Sequence, residues 1–259
     1  MTDIKRRSFF GAVAAGASAL TLSGCKGPSE TEWWPKVLAS AEGLTKRAER
    51  LVAGSWALAP EFSKADIAPT FRANGTLNPN TPDYNAMVMN GFRDWRLEIG
   101  GLVAHPLKFS LAELRAMPSR TQITRHDCVE GWSCIGEWTG VQLGRVLAAA
   151  NPLPAARYVV FYCDDPMSGT DANGGVPYYY ESLDLVEAFH PQTLLAYQLN
   201  GQDLPVANGA PVRVRAERQL GYKQAKYVRR IELVENFDRI NGGKGGYWED
   251  LGYAWWGGI

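Results

Sequence analysis

Apolar and polar residues change period several times along this chain, and each change marks an element. From Lys36 to Ala53 the apolar positions Val37, Leu38, Ala41, Leu44, Ala48, Leu51 and Val52 recur near helical spacing, with Lys36, Glu42, Lys46, Arg47, Glu49 and Arg50 on the other face. This predicts an amphipathic helix over 36–53, beginning after Pro35, whose missing N–H matters little in a first turn. Residues 59–85 are rich in Pro, Asn and Thr and predict an extended loop. WRLEIGGLV over 95–103 alternates as a strand does and ends in a glycine turn. Ser110, with Glu113 three residues on and Pro118 as a stop, predicts a short capped helix. Residues 122–129 predict a strand feeding a turn rich in Gly and Trp, 141–150 a short helix, and 158–163 an apolar strand. A helix is expected over 182–190 and strands over 193–199, 212–216 and 227–234, before an aperiodic tail from Gly242. Strands and short helices mix without regular alternation or repeat, which predicts one α+β domain from about residue 30 to 259.

Composition narrows the class. Of 259 residues, 46% are hydrophobic and 21% charged, which excludes whole-chain disorder. Lys+Arg and Asp+Glu are 27 each, so a generic polyanion binder is not expected and no nucleic acid is implied. The front carries Lys5-Arg6-Arg7 and then an uncharged, mildly apolar stretch from Ser8 to Gly24, too short and weak for a membrane span. Residues 1–24 are therefore expected to be an export signal. Arg6-Arg7-Ser8-Phe9-Phe10 resembles the twin-arginine signal, used by proteins exported already folded, and Leu22-Ser23-Gly24-Cys25 resembles a lipobox. Periplasm or cell envelope is the expected location, with a lipid on Cys25 left open.

The four cysteines are Cys25, Cys128, Cys134 and Cys163, and no C-x-x-C occurs. Haem attachment and close-thiolate iron–sulfur ligation are unsupported, as is structural zinc with only three histidines. Cys128 has the most unusual surroundings, QITRHDCVEGWSCIGEWTGVQL. Arg125 and His126 favour a thiolate, which binds soft metals, while Asp127 and Glu130 oppose it. By residue chemistry alone Cys128 reads as a reactive or metal-bound cysteine or as a core one. Cys134 and Cys163 read as core cysteines, with a disulfide between them open.

The segment R-H-D-C-V-E-G-W-S followed by W-T-G-V-Q-L resembles the molybdenum-ligand segment of the sulfite oxidase family of molybdopterin-dependent oxidoreductases. It is most like the single-domain bacterial members, such as the catalytic subunit of periplasmic methionine sulfoxide reductase. The resemblance continues through LPVANGAPVR at 204–213, LGYKQAKYVRRIE at 220–232 and GGYWEDLGYAWWGGI at 245–259. It implies a sulfite-oxidase-type molybdopterin-binding fold, with mixed sheets and short helices in a single domain. It also implies a molybdenum–molybdopterin cofactor (Mo-MPT), with Cys128 as the metal ligand. The chain stops soon after the third motif, without the family's dimerisation domain, and a monomer is expected.

Seven basic residues lie between Arg213 and Arg230, offset only by Glu217. Arg213 and Arg215 fall on one face of a strand, where like charges repel unless an anion sits between them. Lys223 follows Gly221-Tyr222, a turn that lets backbone N–H groups approach a phosphate. Arg213, Gly221, Tyr222 and Lys223 are thus candidates for holding the cofactor's phosphate, and Asn208 for its ring. Arg218, Arg229 and Arg230 read as a solvated basic face. The resemblance also nominates Arg72 and Asn74 in F-R-A-N-G-T, and Cys163 joins the cofactor-contact candidates. Tyr178, in PYYYES, is a candidate proton donor, with packing as the equal alternative.

Sulfite oxidases of animals and plants follow the ligand cysteine with arginines; Glu130 and Trp132 stand here instead. Loss of positive charge disfavours a small dianion and suits a neutral substrate on an aromatic wall, such as a sulfoxide. Oxygen-atom transfer to or from a small substrate is implied, with electrons exchanged with a membrane haem subunit or a cytochrome. The alternatives are a sulfite dehydrogenase-like enzyme, or a non-catalytic, lipid-anchored binding protein that kept the fold and uses Trp132, Trp138, Trp248, Trp255 and Trp256 as a ligand platform.

Overall fold

A computed structural model describes residues 33–170 and 174–259. The expected export signal and Cys25 lie outside the described residues. The chain divides into two units, Met1–Thr45 and Lys46–Ile259. The described part of the first is the opening of helix α1 (Trp33–Ala53). This helix begins three residues before the expected Lys36, because proline is accepted throughout a first turn.

In the second unit, Lys46 and Arg50 at the end of α1 both pair with Asp184, at 2.6 and 2.7 Å. The next segment is irregular, as its composition predicts, apart from a 3₁₀ turn at Lys64–Asp66, until helix α2 (Pro82–Met89). The expected loop hid this helix because PDYNAMVM has no apolar period. Its signal was local: Thr81 accepts the Tyr84 N–H and Pro82 occupies the first turn.

Two five-stranded sheets follow. The first has the order β2 (Leu107–Ser110), β1 (Arg96–Gly101), β10 (Val228–Val234), β5 (Tyr158–Pro166), β6 (Tyr178–Asp184). Only β1 and β10 pair in parallel within it. The second runs β3 (Ser119–Cys128), β4 (Trp132–Gln142), β7 (Leu194–Leu199), β8 (Gln202–Asp203), with β9 (Arg213–Arg215) also paired to β7. Helices α3 (Leu111–Ala116), α4 (Leu143–Ala150), α5 (Leu185–Ala188) and α6 (Tyr247–Asp250) are short. One core joins the sheets, with Leu97, Ile99, Phe161 and Ile231 from the first, Val141, Leu195 and Val214 from the second, and Val146 and Leu147 of α4. The mixed α+β architecture is the expected one.

Ser110 caps α3 in a reciprocal box with Glu113, as predicted. Two expectations are corrected. The Gly- and Trp-rich stretch after Val129 is not a long turn but an eleven-residue strand, β4. Its glycines serve close approach: a Cβ on Gly140 would lie 2.3 Å from the Leu195 carbonyl oxygen across the sheet. The expected helix at 182–190 is strand β6 as far as Asp184, which then caps α5 by accepting the Glu187 N–H at 3.0 Å. Tyr179 to Asp184 are buried on both faces, so the strand lacks the alternation that would reveal it.

Candidate active site

Strand β3 ends at Cys128, and its alternation sets the site. Gln122, Thr124, His126 and Cys128 face inward, whereas Arg125 and Asp127 pair with each other on the outer face at 2.9 Å. A tight turn follows, in which Gly131 takes a positive φ and its N–H reaches the Cys128 carbonyl oxygen at 3.0 Å. Cys128 thereby stands in the wall of a cavity of about 250 Å³. The remaining wall comes from residues 74–76, Val129 and Glu130 of the turn, Asp165 at the end of β5 with Met167, Tyr179 on β6, the turn at Gly221–Tyr222 with Gln224 and Lys226, and Trp248 and Tyr253 of the tail.

Burial holds the Cys128 thiol above its usual pKa; a backbone N–H at Glu130 lowers it, the Glu130 charge raises it and Arg72 lowers it. The expected cationic neighbours do not act here. Arg125 is turned outward, and His126 is neutral, its pKa pushed well down by burial and by Arg215 and Arg213. Arg215 Nη1 donates to His126 Nδ1 at 2.9 Å, so the ring carries its proton on Nε2, beside the Gln224 side chain.

The candidates separate. Asn74, Cys128, Gly221 and Tyr222 come together around the cavity. Asn74 Oδ1 is buried without a hydrogen-bond partner among the described residues. Gly221 admits no side chain, since a Cβ would lie 2.6 Å from His126 Nε2. Arg72 is exposed, over the Trp132 ring at 4.8 Å and 4.0 Å from Glu130, beside the cavity and not in its wall. Arg213 is buried, donating to the carbonyls of Asn208 and Gln224 at 3.0 and 3.3 Å. Arg213 Nε and Asn208 Nδ2 are buried without partners among the described residues.

Three candidates lie apart from the cavity. Lys223 is turned into the protein, where it pairs with Glu181 and, at 2.6 Å, with Glu249. Tyr178 lies about half exposed over two other hollows, while its neighbour Tyr179 lines the cavity. Cys163 lines one of those hollows, with Tyr84 and Arg229. It, Cys128 and Cys134 are free, so no Cys134–Cys163 disulfide is present.

The paired arginines also find another solution than the expected anion. The Trp138 ring lies 5.1 Å from Arg213 and 4.4 Å from Arg215, and Glu217 pairs with Arg215 at 2.5 Å. Sequence reasoning missed Thr76, Asp165, Gln224 and Lys226. The basic group that reaches the cavity is Lys226, whose Nζ donates to the carbonyls of Asn74, Thr76 and Ala207. Burial and then Arg213 lower its pKa to about 7. The two lysines three apart look equivalent in sequence. The 3₁₀ turn ends at Lys223, however, and the chain beyond it is no longer helical, so they diverge.

Comparison with known proteins decides the family. The family described as the oxidoreductase molybdopterin binding domain matches residues 85–239, from α2 through β10. The chain belongs to this family. As a member of it, the chain is 41% identical over 164 residues to the putative protein-methionine-sulfoxide reductase subunit YedZ1 of Azospira oryzae, covering 63% of this chain and 56% of that protein. It is 38% identical over 164 residues to the protein-methionine-sulfoxide reductase catalytic subunit MsrP of Xanthomonas axonopodis pv. citri, covering 61% and 48%. The chain thus spans about half the length of the curated relatives it matches. The crystal structure of the sulfane dehydrogenase SoxCD from Paracoccus pantotrophus aligns over 55% of this chain and 39% of that one, at 25% identity and a TM-score of 0.47.

The cavity suits the molybdopterin that gives the family its description. A thiol able to ligate a soft metal stands in its wall at Cys128, and the unpartnered Asn74 Oδ1 and Gln224 Oε1 offer polar contacts. Asn74, Thr76, Trp248 and Tyr253 fall outside the matched residues, so the chain completes this wall from flanking segments.

Proposed function

We propose that the chain is an exported molybdenum-dependent oxidoreductase that removes the oxygen of a sulfoxide, the observation carrying this being the Cys128 thiol in a cavity with a polar interior and an aromatic mouth. Cys128 would ligate molybdenum. Asn74 and Gln224, with the backbone at Gly221, would hold the pterin, Lys226 would fix the 74–76 segment through its carbonyls, and Arg213 and Asn208 would support that wall from behind. When bound, the cofactor supplies two-electron oxygen-atom exchange. The protein's own residues orient the substrate and exclude water: Trp248 and Tyr253 offer ring faces, and Val129 adds apolar surface. The names of the two relatives support a methionine sulfoxide as substrate. Export through residues 1–24, a lipid on Cys25, electrons from a membrane haem subunit or a cytochrome, and a monomeric state complete the reading.

The mouth supports a neutral substrate over sulfite. Glu130 is half exposed there, accepts the Trp132 Nε1 hydrogen bond at 2.9 Å and offsets Arg72. Glu130→Arg is expected to raise kcat/KM for sulfite relative to a neutral sulfoxide by about tenfold, a reversal of one charge at a partly solvated site. Competition assays with a dye as electron acceptor or donor check this, and an unchanged ratio would count against the assigned mouth. The reading as a whole is tested by metal analysis of protein from cofactor-competent cells, followed by turnover on sulfoxides, N-oxides and sulfite. Near-stoichiometric molybdenum with sulfoxide turnover is expected. Molybdenum-free protein would favour a non-catalytic binding role.

A further inference from the structure

Sulfoxide reduction consumes two protons and two electrons and releases water (R₂SO + 2H⁺ + 2e⁻ → R₂S + H₂O). The expected donor, Tyr178, opens onto other hollows, so the acid must be sought among the groups that line the cavity. Most are committed elsewhere. The Tyr179 hydroxyl donates to the Tyr222 carbonyl, and the Tyr222 hydroxyl to the Ala254 carbonyl at 2.8 Å. Glu130 is half exposed, faces Arg72 at 4.0 Å and accepts the Trp132 Nε1 hydrogen bond. Lys226 spends three N–H bonds on three main-chain carbonyls, leaving none for a carboxylate.

Asp165 differs from all of these. It is 4% exposed, lines the same cavity as Cys128, and has Oδ1 buried without a partner among the described residues. The Thr76 hydroxyl bonds its carboxyl. A buried carboxylate with no ion pair is costly, whereas the protonated acid is not, and it presents one O–H donor to the cavity.

We infer that Asp165 is the acid that protonates the oxygen leaving the substrate. This rests on the sulfoxide-reductase reading. The Asp165 O–H bond breaks and an O–H bond forms on the departing oxygen as the S–O bond breaks. The second proton comes from solvent through the mouth, which also reprotonates Asp165, and the electron pair would be supplied by the bound cofactor, which the haem-type donor would refill. Burial supports the assignment by pushing Asp165 up to about 7, against the opposing charge of Lys226 and with Asp164 adding to the rise. The other titratable groups that feel its charge are Cys163, Tyr179, Tyr84 and Tyr227.

The test uses the molybdenum-loaded enzyme and Asp165→Asn, which keeps the shape and removes the acid. Molybdenum content should match the wild type and KM should stay within about threefold, while kcat falls by about 100-fold, the usual scale for general acid catalysis. Wild-type kcat should fall as pH rises through about 7, and the variant should lose that dependence. Infrared difference spectra in H₂O and D₂O should show a protonated carboxyl band in the wild type below that pH that is missing from Asp165→Asn, while any bands of other buried carboxyls stay common to both. The inference is overturned by unchanged kcat, by loss of molybdenum (which would make Asp165 a cofactor-holding group), or by absence of the band. It is equally overturned if Tyr253→Phe removes the pH dependence and Asp165→Asn does not. Wild-type enzyme that turns over no sulfoxide sinks the broader reading instead.

Discussion

Replacing Cys128 by Ser should abolish turnover, by at least about 10³-fold, while leaving a folded protein, because the thiolate is the one protein ligand proposed for the metal and groups acting at the reacting centre carry losses of this size. The fold should survive because the exchange is nearly isosteric. Cys128 is 7% exposed at the very end of β3, where its register partner Trp132 and the Gly131 turn fix the backbone independently of the thiol. Stability loss should stay near about 1 kcal/mol, the cost of placing a hydroxyl in a mostly buried thiol site. Thermal denaturation and dye-linked assays on the same preparations measure both. Activity within a few-fold of wild type would contradict the ligand assignment.

The largest stability effect is expected behind the cavity, at Arg215→Met. The side chains of Arg215 and Glu217 are both fully buried and joined by two hydrogen bonds, at 2.5 and 3.0 Å. Gln122 donates to the same carboxylate at 2.8 Å, and Arg215 fixes the His126 ring that Gly221 packs against. Removing the arginine leaves Glu217 charged and buried with one amide partner, and should cost about 3–5 kcal/mol. Urea denaturation measures this. The double variant Arg215→Met/Glu217→Leu should recover much of the loss, because no charge is then stranded. A single variant losing less than about 1 kcal/mol, or a double variant no better than the single, would mean the pair is not as buried as described.

The sequence carried the site's centre and lost some of its walls. Cys128 was legible because its motif is dense and its strand alternates, so inward His126 and Cys128 and outward Arg125 and Asp127 follow from period two. Strand β4 was not, because Gly136 and Gly140, placed for contact with Phe71 and with the β7 backbone, read as turn residues. Tyr178 and Tyr179 look equivalent in PYYYES, yet only Tyr179 lines the cavity, because one residue along a strand changes the face. Nothing local marks that Lys223 meets Glu181 and Glu249, carboxylates distant in sequence, while Lys226 reaches the cavity. Asp165 carries no sequence cue as an acid: its character comes from burial and from Lys226 being occupied by carbonyls.

The most direct test of the account is X-ray absorption at the molybdenum edge, comparing the wild-type enzyme with a Cys128→Ser variant that retains the metal. The account predicts one fewer sulfur in the metal's coordination shell in the variant, with the remaining sulfur scattering unchanged. An identical sulfur count in the two proteins would contradict it.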